Sequence, residues 1–170
     1  MNEQTAADKK WSDRFLPQIK RILGEYLIGE APFEEDRDRN TDLIVLRLDP
    51  VRVGCRIRRN SYLLRWPDEF TIRSDRPSGQ KTELAKIVEG WGDYFFYGFS
   101  DASETTLERW TLADLRVFRL WFNSEIVKNK GAIPGKEQPN FDKSSSFRFF
   151  RWNELPNRFI VAKDSHHDSA

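Results

Sequence analysis

Cysteine and histidine are scarce in this chain, and their scarcity excludes several kinds of chemistry. Its 170 residues include one cysteine, Cys55, so an internal disulfide and a cysteine-rich zinc site are excluded. The two histidines, His166 and His167, lie in segment 163–170, whose composition predicts a disordered tail. No Ser-His-Asp triad is therefore available. We expect Cys55 to be a small buried hydrophobic residue rather than a nucleophile, because it lies in an apolar strand pattern.

Long hydrophobic runs and net charge are also lacking. No stretch approaches the ~20 apolar residues of a membrane span, and the first ten residues lack the apolar segment of a secretory signal. These absences predict a cytoplasmic protein without a membrane partner. Lysine and arginine number 28 against 27 acidic residues, so a nucleic-acid site would require local clustering of charge. The 13 Phe and 6 Trp residues can fill the core of a single domain over 1–170.

The spacing of apolar residues predicts an α+β fold. Two helices, at 11–29 and at 78–90, enclose three strands, and a fourth strand follows the second helix. The predicted strands are 42–49, 51–57, 69–73 and 93–99. The resulting order α-β-β-β-α-β predicts a mixed central sheet with helices packed on it, in a core that spans about 11–101.

A C-terminal extension over 107–162 is predicted to add a further helix and short strands. The helix is expected at 112–127, with Thr111 as its N-cap. Residues 128–146 are rich in Gly, Pro, Lys and Ser, which predicts a loop or flap. One or two short strands are expected in 147–163.

Two motifs on the first strands carry a family resemblance. They are Thr-Asp-Leu-Ile-Val-Leu at 41–46 and Val-Gly-Cys-Arg-Ile-Arg at 53–58. With the element order over 11–101, they resemble the core of the PD-(D/E)XK superfamily, the restriction-endonuclease-like nucleases and Holliday-junction resolvases. In that family an aspartate and the acid of an E-x-K motif hold Mg²⁺, and the lysine orients water or steadies developing charge.

Carried over by position, Asp42 matches the family aspartate, and Arg56 and Arg58 stand where the acid and lysine belong. Arginine repels a metal but still binds phosphate. The resemblance therefore implies a nucleic-acid-binding protein with a degenerate metal site. One alternative is an active Mg²⁺-dependent DNA nuclease with displaced acids. Its catalytic and metal-binding residues would be Asp42, Arg56, Arg58, Glu83, Lys86 and Asp36. For Glu83 and Lys86, three apart on a helix, a solvated surface pair is the other interpretation.

Basic residues around the predicted strands suggest phosphate contacts. Arg52, Arg56, Arg58 and Arg73, with Lys81, would form a strip that binds phosphates without reading sequence, or that acids neutralise in a structural role.

The segment 147–152 interleaves aromatic rings with Arg148 and Arg151. That pattern suits stacking on bases or packing of the rings into the core. A further alternative is a non-enzymatic interaction or structural protein, of the kind that phages and mobile elements encode at this size, with a protein partner.

Overall fold

The structure, a computed structural model, describes residues 3–30, 43–45, 51–140 and 144–164. The helices in these ranges are α1 (Glu3–Asp13), α2 (Leu16–Leu27), α3 (Asn60–Arg65), α4 (Glu83–Val88) and α5 (Leu115–Lys128). The strands are β1 (Ile28–Glu30), β2 (Leu43–Val45), β3 (Val53–Arg58), β4 (Glu69–Asp75), β5 (Tyr94–Ser100), β6 (Leu107–Asp114), β7 (Lys136–Pro139), β8 (Ser146–Arg151) and β9 (Ile160–Lys163). Two short 3-10 helices lie between β8 and β9.

The described strands form three sheets. The largest has the order β3-β5-β6-β9, in which β3 and β5 are parallel and the other pairs are antiparallel. A second, antiparallel sheet has the order β4-β8-β7, and β1 pairs with β2 in a third. The predicted α+β class with a mixed sheet is confirmed.

Helix α2 covers one face of the four-stranded sheet. Phe15, at the start of this helix, and Ile19 and Ile22, at helical spacing after it, are buried against Ile57 and Phe96. The sequence predicted this apolar face correctly. The predicted helix 11–29 is nevertheless two helices with a break at 14–15, and its last residues form β1.

The other face of the four-stranded sheet packs against the β4-β8-β7 sheet and α5. Phe70 of β4 is fully buried, with its ring centroid 5.4 Å from that of Phe150 and 6.4 Å from that of Phe118. Phe95 and Tyr97 of β5 belong to the same cluster. Seven phenylalanines are among the largest fully buried side chains, which confirms that aromatic residues fill the core.

Strand β4 lies outside the sheet that contains β3. The predicted strand 69–73 is present, but it pairs with β8, with Arg73 opposite Phe147. It is therefore not a hydrogen-bonded neighbour of β3. Of the predicted strand 42–49, the structure describes only β2. Asp42 and residues 46–50 lie outside the described residues.

The helix predicted at 112–127 begins at Leu115. Asp114, rather than Thr111, is its N-cap and accepts hydrogen bonds from the amides of Arg116 (2.7 Å) and Val117 (3.4 Å). Leu112 is buried in β6, a strand that was not predicted from the sequence. Both Leu112 and Ala113 are buried although they point to opposite sides of the strand, so this part of β6 shows no alternation of polar and apolar residues.

The segment 128–146, predicted to be a loop, contains β7. This strand pairs with β8, and the Arg148 guanidinium holds the preceding turn by donating to the carbonyls of Ile133 (3.2 Å) and Gly135 (2.9 Å). Gly135 has a φ of +78°, and a Cβ there would lie 2.7 Å from the Phe150 ring. The close approach of this turn to β8 therefore requires glycine.

Two further expectations differ from the structure. Cys55 is exposed rather than buried, although neighbouring atoms desolvate the thiol enough to raise its pKa. Strand β9 extends through Lys163, the first residue of the segment predicted to be a disordered tail. Residues 165–170 of that segment, including both histidines, lie outside the described residues.

One carboxylate holds the loop between β5 and β6, and it provides a test of the fold. Asp101 accepts hydrogen bonds from the Ser103 hydroxyl and from the amides of Thr105 (2.8 Å) and Thr106 (3.1 Å). The Ser103 hydroxyl, followed by the Thr106 amide, lowers the pKa of Asp101 to about 2. Because this pKa is below that of the unfolded chain, the stabilisation is complete above about pH 4 and is lost as the pH falls through about 2.

We predict that Asp101→Asn flattens the dependence of melting temperature on pH between about pH 4 and pH 2. The amide keeps an oxygen that can accept hydrogen bonds but has no charge to lose. Thermal unfolding followed by circular dichroism at several pH values would measure this. Parallel profiles for the variant and the unaltered protein would contradict the prediction.

Candidate functional site

A cleft of about 400 Å³ opens on the side of the four-stranded sheet that faces away from α2. It lies between β3, β4, α4 and the start of α5. One carboxylate, that of Glu83, lies in the cleft. The basic side chains that line it are Arg56, Arg73, Arg76, Lys81 and Lys86.

Strand β3 forms the floor of the cleft, and its successive side chains point to opposite sides of the sheet. Gly54 and Arg56 face the cleft, whereas Ile57 points to the opposite side and packs against α2. Gly54 has no side chain, and a Cβ there would meet the Phe95 ring at an ordinary contact distance of 3.6 Å. The glycine therefore leaves space above the strand that a larger residue would fill.

Helix α4 supplies one wall of the cleft. Thr82 caps the helix by accepting a hydrogen bond from the Ala85 amide at 3.2 Å. This cap fixes the helix start, so Glu83 and Lys86, three residues apart, lie on the same side. The Arg119 guanidinium of α5 donates to the Gly92 carbonyl at 3.1 Å and fixes the segment after α4. The predicted helix 78–90 is thus shorter: it begins after Thr82 rather than at Ser78 and ends at Val88. The predicted stop residue, Gly90, directly follows the C-cap Glu89 and has a φ of +99°.

The Glu83 carboxylate already binds two groups of the protein itself. Its Oε2 atom accepts hydrogen bonds from the Arg56 guanidinium, in an ion pair, and from the Arg73 amide at 3.1 Å. The Arg56 and Glu83 side chains are 17% and 29% exposed. The Arg56 guanidinium also lies 3.4 Å from the Thr71 hydroxyl. The carboxylate therefore holds β3, β4 and α4 together and neutralises one charge of the cleft.

The remaining cations leave the cleft positively charged. Burial lowers the pKa of Arg73, and the neighbouring Arg56 and Arg76 guanidinium groups lower it further. Arg76 donates to the neutral side chain of Gln80 at 3.0 Å. Lys86 has no acidic partner among the residues that the structure describes. These like charges repel one another, so a bound anion would relieve the repulsion.

At the outer rim, Lys81 pairs with Glu89 at 2.7 Å, and their side chains are 65% and 41% exposed. Such exposed pairs contribute little, on the order of 0–1 kcal/mol. An anionic ligand can therefore compete with Glu89 for Lys81.

The structure brings together five of the residues that the sequence singled out: Arg56, Arg73, Lys81, Glu83 and Lys86. Arg58 does not line this cleft; its guanidinium lies 3.8 Å from the centroid of the Tyr62 ring. Burial lowers the pKa of Arg58, and the nearby Arg56 charge contributes to the shift.

The other predicted basic residues lie elsewhere. Arg52 is exposed, and its backbone amide donates to Asp93 at 2.8 Å. Arg148 is only 14% exposed, because it binds the turn before β7 and pairs with Glu137 at 3.0 Å. Arg151 is exposed and lies 3.6 Å from Glu69. Arg148 therefore already uses its donors within the protein.

The described part of the cleft does not fit Mg²⁺. The ion prefers several oxygen ligands, but this part of the cleft offers one carboxylate, which Arg56 already binds. Across the described ranges, no three acidic, histidine or cysteine side chains come together to hold a metal. Asp42 and Asp36, the other predicted ligands, lie outside the described residues.

Sequence reasoning missed two residues of the cleft. Arg76 lies in the turn after β4, three residues beyond Arg73, and Trp91 follows Gly90 at the end of α4. Trp91 is 63% exposed although it is a large apolar side chain. The exposed ring gives the cleft an apolar edge beside its cations. The density of arginine over 73–76 was the available signal for Arg76.

No family model, no curated protein and no solved structure matches this chain. In the described ranges, every helix is too short or too polar to cross a membrane.

Proposed function

We propose that this chain binds nucleic acid by holding backbone phosphates in the cleft. The observation that carries the proposal is the convergence of five cationic side chains around a single carboxylate that the protein itself neutralises. Guanidinium and ammonium groups bind phosphate through strong, charge-assisted hydrogen bonds. The resemblance of the sequence to nuclease cores agrees with a nucleic-acid ligand.

The distribution of the cations favours a polymer over a single small anion. Arg56 belongs to β3, Arg73 to β4, and Lys86 to α4, while Arg76 and Lys81 belong to the turn between β4 and α4. Charges from four neighbouring segments can contact several phosphates along a chain. Contacts of this kind do not read base sequence, so we expect binding with little sequence preference. Cleavage is not part of the proposal, because the described cleft has one carboxylate and the protein already engages it.

The test is the salt dependence of binding, followed by fluorescence anisotropy of labelled single-stranded and duplex oligonucleotides. Binding through phosphates predicts that the logarithm of affinity falls linearly with the logarithm of salt concentration. Failure of both oligonucleotides to bind at low salt would refute the proposal.

A single substitution, Lys86→Ala, is expected to weaken single-strand binding about fivefold at 0.1 M salt and to reduce the salt slope by about 0.7. Lys86 is exposed and has no acidic partner in the described ranges, so the fold should be unaffected. Lys10→Ala is the matched control, because Lys10 is exposed on α1, away from the cleft. An equal loss of affinity in both variants would place the binding site elsewhere.

A further inference from the structure

The second sheet, β4-β8-β7, has a second face opposite its core side, and the cleft reaches this face only at Arg73. Residues directly opposite each other in an antiparallel pair point to the same side. Phe147 lies opposite Arg73 and Gln138, and Phe149 lies opposite Thr71 and Lys136. Two phenylalanine rings thus form the middle of this face, with polar and cationic side chains on the strands at both sides.

These two rings differ from the other aromatic residues of the sheet. On the opposite face, Phe70 and Phe150 are buried to 1% exposure or less and belong to the aromatic core. Phe147 and Phe149 are only half-buried and belong to neither core cluster. Within the described residues, no other aromatic ring packs against them. Among the described residues, packing into the two core clusters therefore does not account for these two rings.

The rings are continuous with the cationic cleft. Arg73, opposite Phe147, is itself one of the side chains that line the cleft. Thr71, opposite Phe149, has its hydroxyl 3.4 Å from the Arg56 guanidinium. On the far side of the rings, Lys136 is exposed and adds a cation. A chain whose phosphates lie in the cleft can therefore place its neighbouring bases over the two rings.

We propose that this face is a stacking platform for the bases of a single-stranded nucleic acid, and that Phe147 and Phe149 each take one base. The inference rests on the proposed phosphate binding in the cleft. Residues two apart on a strand are separated by about 7 Å, which gives each ring room for its own base. Bases in a duplex are stacked on one another and cannot reach side chains in this way, so the ligand is single-stranded.

The test compares oligo(dT) with an abasic strand of the same length, which keeps the phosphates and lacks the bases. Stacking predicts that the unaltered protein binds oligo(dT) about tenfold more tightly per stacked base. Phe147→Leu and Phe149→Leu, which keep an apolar side chain but lose the ring, are each expected to lose about tenfold in affinity for oligo(dT). Their affinity for the abasic strand and for a duplex should stay unchanged. Leu120→Ala on α5, an exposed apolar residue elsewhere, is the control.

The outcomes separate this inference from the function on which it rests. Equal binding of oligo(dT) and the abasic strand by the unaltered protein would overturn the stacking platform and leave phosphate binding intact. Leucine variants that lose affinity equally for all three ligands would also overturn it, because a ring that stacks on bases cannot affect an abasic strand. Absence of binding to every ligand would refute the proposed function and this inference together.

Discussion

Replacement of Arg76, Lys81 and Lys86 together by glutamate is expected to abolish nucleic-acid binding at physiological salt. Loss of three phosphate contacts lowers the affinity for a single strand about 100-fold at 0.1 M salt and the salt slope by about 2. The introduced carboxylates also repel phosphate, so the total loss should exceed about 1,000-fold. Anisotropy titrations at several salt concentrations would measure both the affinity and the slope.

The fold should survive this triple substitution. The only ion pair of these three side chains in the described ranges is Lys81 with Glu89, an exposed pair worth about 0–1 kcal/mol. Circular dichroism and thermal unfolding would verify that the variant remains folded.

A control with the same change in net charge separates the cleft from the overall charge of the protein. Lys10, Lys20 and Arg21 are exposed on α1 and α2, away from the side of the sheet on which the cleft opens. Their replacement by glutamate should weaken binding far less, because the effect of an exposed charge is screened beyond about 10 Å at this ionic strength. Equal losses in the two triple variants would show that binding depends on net charge and not on the cleft.

The cleft could be predicted from sequence only in part. Arg56, Glu83 and Lys86 were found because a motif and a helical spacing point to them. These residues come together because the Glu83 carboxylate accepts hydrogen bonds from both the Arg56 guanidinium and the Arg73 amide. That contact follows from the position of β4, whose hydrogen-bonded partner β8 lies far along the chain. Local patterns contain no information about such a pairing.

The predicted starts of two helices were wrong, because capping by a side chain, and not the spacing of apolar residues, determines where a helix begins. Thr82 and Asp114 cap α4 and α5, whereas the sequence predicted a helix from 78 onward and Thr111 as the cap of the later helix. Cys55 was expected to be buried because β3 alternates in polarity. Strand β3 is at one end of its sheet's described order, and Cys55 is exposed there. Alternation predicts which side a residue faces, but not whether anything covers that side.

Glu83→Gln is expected to change stability and binding in opposite directions. Glutamine keeps an oxygen for the Arg73 amide but removes the charge that pairs with Arg56, a side chain that is only 17% exposed. Weakening this charged hydrogen bond should lower the free energy of unfolding by about 1.5–3 kcal/mol. The same change removes the one carboxylate from a cleft of five cations, so the affinity for single-stranded DNA should rise about tenfold. Urea unfolding and anisotropy titrations would measure the two effects.

This substitution also separates phosphate binding from the nuclease alternative. If Glu83 held a catalytic Mg²⁺, the variant would lose Mg²⁺-dependent cleavage or binding, and chelation of the metal would do the same to the unaltered protein. If Glu83 instead neutralises Arg56, the gain in affinity persists with the metal chelated.

Glu108→Gln, at an exposed residue of β6, removes the same charge outside the cleft and should change neither stability nor affinity appreciably. A Glu83 variant that binds DNA more weakly than the unaltered protein while remaining folded would contradict the cleft as an anion site. An affinity that rises while stability falls is expected only if the protein uses this carboxylate to hold its own arginine in place.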